Sequence, residues 1–301
     1  MSTPRTPSSE MALNAQRIDF TSQINGRDYR LFVSVPGKPA PEGGYTVLYL
    51  IDGNLHFGIA VDTVRIQGAW PDVRNPVVVG IGYPTDSVAE ALRVRNIDLT
   101  TPTTPEYLAS GWLASMDSKV EEYGRLNDYL RVVDEEVKPR VAAAANINAA
   151  DQVLMGHSLG GLATLHALFR RPESFQQYVA ISPSIWWHDC AVLTHEAAFT
   201  ERAKAGGIKA RVLLSVGADE STLTRYVPGL PADEATMRAM AEGCRMVPNT
   251  IELGERLSAL RAPHLTVETV IHAGDDHNMV PPAGIARGIM FTMRRSVATL
   301  L

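Results

Sequence analysis

The sequence predicts an α/β fold with a mostly parallel central sheet, helices on both faces of that sheet and an N-terminal β-hairpin. Continuous apolar runs such as YTVLYLI and PVVVGIGY are bounded by Gly, Pro and Asp, which is typical of strands buried on both faces. Helical segments alternate with these runs and are joined to them by short turns, as parallel strands require. Two alternating runs flank Asn25 and Gly26, a pair that favours a hairpin turn.

The first half of the chain supplies the hairpin, two buried strands and one long helix. Residues 1–16 are polar and are expected to be disordered, so a single domain is expected over 17–301. The segment LRVRNIDLTTPTTPEYLASGW is rich in Thr and Pro and has no periodicity, so we expect a long loop there. Between about 119 and 145 the apolar residues have helical spacing, and Pro139 is expected to kink or divide that helix.

The second half of the chain continues the alternation of strands and helices. The segments QVLMGHS, YVAISPS and ARVLLSVG are predicted strands, and LGGLATLHALFR is a predicted helix. Residues 221–261 are mostly helical in pattern, and LTVETVIHAG is the last strand, in which His272 is expected to pack in the core. A helix from about 282 to 301 closes the chain.

Composition argues against several classes of function. With a formal charge of −5 and no block of Lys or Arg, the chain lacks the electrostatic signature of a nucleic-acid-binding protein. No apolar stretch reaches the roughly 18 residues that a membrane span needs. The opening MSTPRTPSSEMALNAQ has no hydrophobic region of a secretory signal, which predicts a cytoplasmic protein, or a periplasmic one if a leader has been removed.

The sequence gives no sign of a metal or a cofactor. Cys190 and Cys244 lack metal-type spacing and are interpreted as free thiols, with one disulfide between them as the open alternative. There is no HExxH motif, and no GxGxxG or GxxxxGK follows a predicted strand. We therefore expect neither a metal ion nor a nucleotide cofactor.

The segment VLMGHSLGGLATL contains the pattern G-x-S-x-G at Gly156–Gly160, between a predicted strand and a predicted helix. In this context the pattern indicates a nucleophile elbow, a strained turn that projects the Ser158 hydroxyl above the strand ends. Glycines two residues before and after the serine let the strand and the helix approach closely. The alternative is a turn in which Ser158 only caps the helix.

A serine nucleophile needs a base and an acid, and their expected order along the chain is Ser, acid, His. Of the eight histidines, His277 is favoured as the base because it follows the last strand, at the edge where ligand sites of parallel sheets lie. The strand ARVLLSVG ends in GADE, which offers Asp219 and Glu220 as acids. The usual spacing from the glycine favours Glu220, with Asp219 as the alternative.

Two backbone N–H groups are expected to form an oxyanion hole, the site that stabilises developing negative charge during acyl transfer. The N–H of Leu159, at the start of the helix after the nucleophile, is the first. The second is expected from the loop after YTVLYLID, where Asn54 is favoured over Gly53, although a plain Asp-Gly turn would give the same sequence.

The segments VLYLIDGN, GHSLGGLATLHAL, AISPSIWW, LLSVGADE and GDDHNMV resemble the esterase-D-like branch of the α/β-hydrolases. Within that branch the chain is most similar to bacterial enterobactin- and salmochelin-type siderophore esterases, which hydrolyse a trilactone of serine. The resemblance implies a serine esterase that acts through an acyl-enzyme, with Ser158, His277 and Glu220 as its triad. A ferric siderophore is then the expected small-molecule partner, and the oligomeric state stays open.

The resemblance also suggests residues that contact substrate. Trp186 and Trp187 follow a strand end and are expected to border an aromatic acyl group, although paired tryptophans also suit a core. Arg93 or Arg95 is expected to meet an anionic catecholate, with ordinary loop ion pairs as the alternative. His157, next to the nucleophile, is a further candidate contact.

Some features leave the substrate open. The branch also includes S-formylglutathione-type thioesterases and feruloyl and carbohydrate esterases, and a catalytically silent binding protein with the same fold is the non-enzyme alternative. The segment 221–246 is longer than the resemblance leads us to expect, so we interpret it as a lid over the site.

Overall fold

An eight-stranded sheet forms the centre of the structure. The structure is a computed structural model, and it describes residues 15–116, 119–224, 226 and 232–295. The spatial order of the strands is β1-β2-β4-β3-β5-β6-β7-β8. Their bounds are β1 Ala15–Thr21, β2 Asp28–Ser34, β3 Tyr45–Ile51, β4 Val77–Gly82, β5 Ile147–His157, β6 Gln177–Ile181, β7 Ala210–Gly217 and β8 Leu265–His272. β1 and β2 pair antiparallel, as do β2 and β4, and the pairs from β4 to β8 are parallel. The predicted mostly parallel sheet with an N-terminal hairpin is confirmed.

Helices connect the strands over both faces of the sheet. Their bounds are α1 Gly53–Gln67, α2 Val88–Asp98, α3 Pro105–Leu108, α4 Leu126–Val132, α5 Lys138–Ala144, α6 Leu159–Arg170, α7 Trp187–Cys190, α8 Glu196–Lys204, α9 Glu234–Cys244, α10 Met246–Ala259 and α11 Val280–Met293. Side chains of α1 and α11 share one apolar layer, and those of α4, α6, α8 and α10 share the other. Along β5, Val153 and Met155 belong to the first layer and Leu154 to the second, as the alternation of a strand requires.

The prediction of a long loop from Leu92 onward is wrong in its first part, because residues 88–98 form helix α2. The hydroxyl oxygen of Ser87 caps this helix by accepting the N–H of Glu90. Its buried side chains are Ala91, Arg95 and Asp98, spaced as one helical face. Two of the three are charged, so the helical period is absent from the hydrophobic pattern on which the prediction rested.

The helical pattern near Pro139 is confirmed, although the helix begins at Leu126 and not near 119, and it is interrupted before Pro139. A π-helical turn at Val133–Val137 separates α4 from α5, and Pro139 lies in the first turn of α5. A proline has no N–H and its ring crowds the carbonyl four residues earlier. The wider π turn relieves that crowding without ending the helix.

Several chain segments differ from the predicted boundaries. β1 begins at Ala15, so two residues of the segment expected to be disordered belong to a strand, and residues 1–14 and 296–301 lie outside the described part. His272 is half-buried rather than packed in the core, because β8 is an edge strand. Cys190 and Cys244 are free thiols, as predicted. None of the helices in the described ranges has the length and apolarity needed to span a membrane.

A buried carboxylate at the end of α2 makes the fold sensitive to pH. Asp98 is fully buried, accepts hydrogen bonds from the hydroxyls of Tyr29 (2.8 Å) and Tyr83 (3.1 Å), and lies 3.3 Å from the Arg27 guanidinium. Burial raises the pKa of the Asp98 carboxyl from 3.8 to about 6, against the opposing effect of Arg27 and the two hydroxyls. The folded state therefore binds this proton more tightly than the unfolded state does.

We expect Asp98 to contribute most to the free energy of unfolding below pH 3.8, and this contribution to be lost as the pH rises through about 6. Asn at this position cannot titrate. The free energy of unfolding of the wild type minus that of Asp98→Asn should therefore fall by up to about 3 kcal/mol between pH 4 and pH 7. Urea unfolding at several pH values measures this difference. Parallel pH profiles for the two proteins would contradict the prediction.

Candidate active site

The turn between β5 and α6 has the strain expected of a nucleophile elbow. Ser158 has φ 61° and ψ −120°, a conformation that non-glycine residues rarely adopt. A Cβ atom on Gly156 would lie 2.3 Å from the carbonyl oxygen of Gly160, so the strand and helix can meet only if residue 156 is glycine. The Ser158 side chain is consequently raised at the carboxyl edge of the sheet.

His277 lies in the loop between β8 and α11, and its ring joins the serine to a carboxylate. Its Nε2 is 3.0 Å from Ser158 Oγ, and its Nδ1 is 2.6 Å from Glu220 Oε2. With the proton on Nδ1, the ring donates to Glu220 and accepts from the serine hydroxyl. About 38% of the His277 side chain is exposed, so a bulky ligand can reach it from solvent. This arrangement can activate a hydroxyl for attack on a carbonyl carbon.

Of the two adjacent acids, the structure brings Glu220 and not Asp219 to His277. Glu220 is buried, and its Oε1 accepts hydrogen bonds from Ser182 Oγ (2.5 Å) and from the Gly217 N–H (2.6 Å). Asp219 is half-buried, and its N–H donates to the carbonyl oxygen of Asp275. The three donors around Glu220 fix the orientation of its carboxylate.

Ser182 and Ser184 also lie in this site, and neither was among the residues predicted to act there. Ser182 has φ 43° and holds Glu220 as described. The N–H of Ser184 donates to the carbonyl oxygen of Ser158, and the two serine Oγ atoms are 3.5 Å apart. The signal that could have indicated them is the sequence SPS directly after β6, at the same edge of the sheet as the elbow.

The candidate oxyanion donors lie at the first residues of two helices. Leu159 begins α6, and Gly53 and Asn54 begin α1, where N–H groups have no acceptor within the helix. The Asn54 side chain donates to the carbonyl oxygens of Tyr83 and Thr85 and accepts the N–H of Tyr83. Of the hydrogen-bond donors of Asn54, only its backbone N–H is therefore left to bind a substrate.

The two tryptophans after β6 have different surroundings. Trp187 is buried, donates from Nε1 to the carbonyl oxygen of Thr101, and packs 4.8 Å from the Tyr123 ring, which makes it part of the core. Trp186 is half-buried, and its ring lies 5.3 Å from that of Trp112. Trp112 belongs to the 3₁₀ turn Gly111–Met116, inside the segment predicted as a loop, and was not among the predicted site residues.

Arg95 and His157, two of the residues expected to contact substrate, are both buried beside the nucleophile elbow. Arg95 is buried, and its Nε and Nη2 already donate hydrogen bonds to the two carboxylate oxygens of Asp52. The His157 ring is buried, and its centroid lies 4.6 Å from that of the His277 ring. Burial lowers the pKa of His157 well below the usual value, which keeps the His157 ring neutral. Arg93 is exposed on α2, two residues before Arg95.

Comparison with protein families and curated sequences gives consistent matches. The profile of the family described as "Putative esterase" matches residues 22–243. The chain is 32% identical over 276 residues to the ferri-bacillibactin esterase BesA of Bacillus subtilis, covering 91% of this chain and 87% of that protein. It is 36% identical over 252 residues to a siderophore enterobactin esterase of Emericella nidulans, covering 81% of this chain and 80% of the relative.

A solved structure with the same fold is the siderophore hydrolase EstA from Aspergillus nidulans. It superposes with a TM-score of 0.77 at 31% sequence identity, and the match covers 97% of this chain and 98% of that one. Coverage this complete means that the similarity extends over the sheet, its helices and the loops that carry the site.

Proposed function

Because the chain belongs to this esterase family and is an ester-hydrolysing enzyme with the α/β-hydrolase fold, we propose that Ser158, His277 and Glu220 form its catalytic triad. The observation that carries the proposal is the single line of contacts through His277, at 3.0 Å to the serine and 2.6 Å to the carboxylate. The buried position of Glu220 and its donors Ser182 and Gly217 support its role as the acid.

In this mechanism the Ser158 oxygen attacks the ester carbonyl carbon while His277 Nε2 takes the hydroxyl proton. The N–H of Leu159, together with that of Asn54 or Gly53, stabilises the oxyanion of the tetrahedral intermediate. The C–O bond to the leaving alcohol breaks, and His277 returns its proton to the alkoxide. Water then attacks the acyl-enzyme by the same route, with His277 again taking and returning the proton, and Ser158 is released.

For the substrate we propose the ester bonds of a siderophore, as the names of the matched esterases suggest. The open His277 side chain suits a large substrate, and the Trp112–Trp186 pair offers aromatic surface at the same edge of the sheet. A hydrolysis screen tests this proposal with a catecholate trilactone, a feruloyl ester, a glutathione thioester and short nitrophenyl esters. A preference for the thioester or the feruloyl ester would reassign the substrate, and no turnover with any of them would indicate a binding protein.

The different surroundings of the tryptophans give a prediction. We expect Trp186→Ala to reduce kcat/KM for aromatic-acyl esters by about two- to tenfold, the equivalent of one lost aromatic contact, and to spare acetyl esters. Trp70, which is 66% exposed and lies beyond the C-terminal end of α1, provides the control variant Trp70→Ala. Equal losses on both ester types, or none on either, would remove Trp186 from the acyl site.

We also propose that the residues expected to form one domain, 17–301, do so together with Ala15 and Gln16 of β1, and that α9 borders the aromatic side of the site as part of the lid at 221–246. A Cβ on Gly243 would lie 3.0 Å from Trp112 Nε1, and Cys244 and Met246 pack with Trp112 and Trp186 in one apolar cluster. Residues 225 and 227–231 of the lid lie outside the described part.

The free thiols of Cys190 and Cys244 are consistent with a reducing compartment, and we propose a cytoplasmic location, which cell fractionation tests.

A further inference from the structure

Asp52 stands at the start of α1 but does not cap it. Aspartate is among the residues preferred at this position, where its side chain normally accepts the N–H of the second or third helical residue. Here the Asp52 carboxylate makes no such hydrogen bond, and the backbone is left-handed at φ 61°. The carbonyl oxygen of Asp52 accepts from the N–H groups of Leu55 and His56. The N–H groups of Gly53 and Asn54 come earlier in the helix and have no acceptor within it.

The carboxylate is instead paired with a buried arginine of α2. Arg95 Nε is 2.7 Å from Asp52 Oδ1, and Arg95 Nη2 is 2.8 Å from Oδ2, a two-pronged contact that fixes orientation as well as charge. Arg95 Nη2 also lies 3.3 Å from the carbonyl oxygen of His157 and donates to it. One guanidinium thus joins the end of β3 to the end of β5, next to the nucleophile.

We propose that Arg95 is a positioning residue that keeps the Asp52 carboxylate away from the N–H groups of Gly53 and Asn54, so that these groups stay available to an oxyanion. This inference rests on the proposed esterase function. An anion at a helix N-terminus is attracted by the unpaired N–H groups there. Without Arg95, the nearest anion is the carboxylate of Asp52 itself.

The position of Asp52 makes this competition direct. Its Oδ2 lies 3.3 Å from the place where a Cβ on Gly160 would be, so the carboxylate is held against the elbow helix within the site's own framework. A carboxylate released there would occupy one oxyanion donor and repel the negative charge that develops in the transition state. Binding of the uncharged ester would be affected much less, because its carbonyl carries little charge.

The test compares Arg95→Met with the double variant Arg95→Met/Asp52→Gly on an acetyl ester, with active sites counted by fluorophosphonate titration. We expect kcat of the single variant to fall about 100-fold with little change in KM, the loss typical of one oxyanion donor. The dissociation constant of a trifluoromethyl ketone, which forms an oxyanion on the serine, should rise by a similar factor. Glycine tolerates the left-handed turn and carries no carboxylate, so the double variant should regain about tenfold.

Arg256→Met is the matched control. Arg256 of α10 forms a bidentate pair with Glu196 of α8, as Arg95 does with Asp52, but this pair is exposed. The kinetics of Arg256→Met should equal those of the wild type. If Arg95→Met does not fold, Arg95→Lys takes its place. Lysine keeps the charge but satisfies only one carboxylate oxygen, so the trifluoromethyl ketone should still bind more weakly at unchanged KM.

A purely structural role for Arg95 predicts a different result. In that case kcat per titrated site and the affinity for the ketone both stay at the wild-type values. If a folded Arg95 variant shows either of these unchanged values, the inference about Arg95 is overturned and the proposed esterase function is not. A double variant slower than Arg95→Met also overturns it, because removal of the carboxylate should then help. A wild type that neither hydrolyses esters nor reacts with the fluorophosphonate overturns the proposed function, and this inference with it.

Discussion

Ser158→Ala should abolish ester hydrolysis, with kcat lower by about 10⁶-fold and folding unchanged. Loss of the nucleophile removes the covalent route, and the remaining triad members cannot replace it because the three act as a unit. Alanine keeps the Cβ and the strained backbone of Ser158, so the elbow keeps its shape. Initial rates on a nitrophenyl ester and the urea unfolding midpoint measure the two parts of this prediction.

A serine-reactive fluorophosphonate separates Ser158 from its neighbour. The reagent should add covalently to Ser158 in the wild type, as peptide mass spectrometry can show. Ser184, whose Oγ is 3.5 Å away, provides the matched variant, and Ser184→Ala should still be labelled at Ser158. Labelling at Ser184, or a fully active Ser158→Ala protein, would transfer the nucleophile's role to another hydroxyl.

Glu220→Gln should lower kcat by about 10⁴-fold, the loss expected when a histidine base is held in the wrong tautomer. Glu220 now accepts from Ser182, Gly217 and His277, so both of its oxygens have donors. A glutamine amide presents an N–H₂ group in place of one oxygen, which faces a donor either at Gly217 or at His277. The His277 ring would then be free to turn its other nitrogen toward the serine.

Asp219→Asn is the control for charge, because it removes a carboxylate one residue away that the structure does not bring to His277. Its kcat should remain close to that of the wild type. The reverse order of the two variants would make Asp219 the acid and leave the nucleophile and base unchanged. Unimpaired activity in both would indicate a serine–histidine dyad.

The linear order of residues determined the sheet and three main members of the site. Apolar runs identified the buried strands, and the glycines around Ser158 indicated the elbow, because local sterics restrict which residues can occupy such a turn. Parallel strands end at one edge of the sheet, which is why the loop positions of His277 and Glu220 were sufficient to bring them into consideration. These are local features, or features of chain order, and both are written in the sequence.

The tertiary structure alone decided which polar side chains meet. The burial of Arg95 and Asp98 on one face of α2 was invisible to a hydrophobic pattern, and the segment was therefore predicted as a loop. Arg95 pairs with Asp52, directly after β3, and Glu220 accepts from Ser182, directly after β6; these partners are 43 and 38 residues away in sequence. Hydrogen bonds and ion pairs depend on distance and direction in space, and those are fixed only when the helices pack on the sheet.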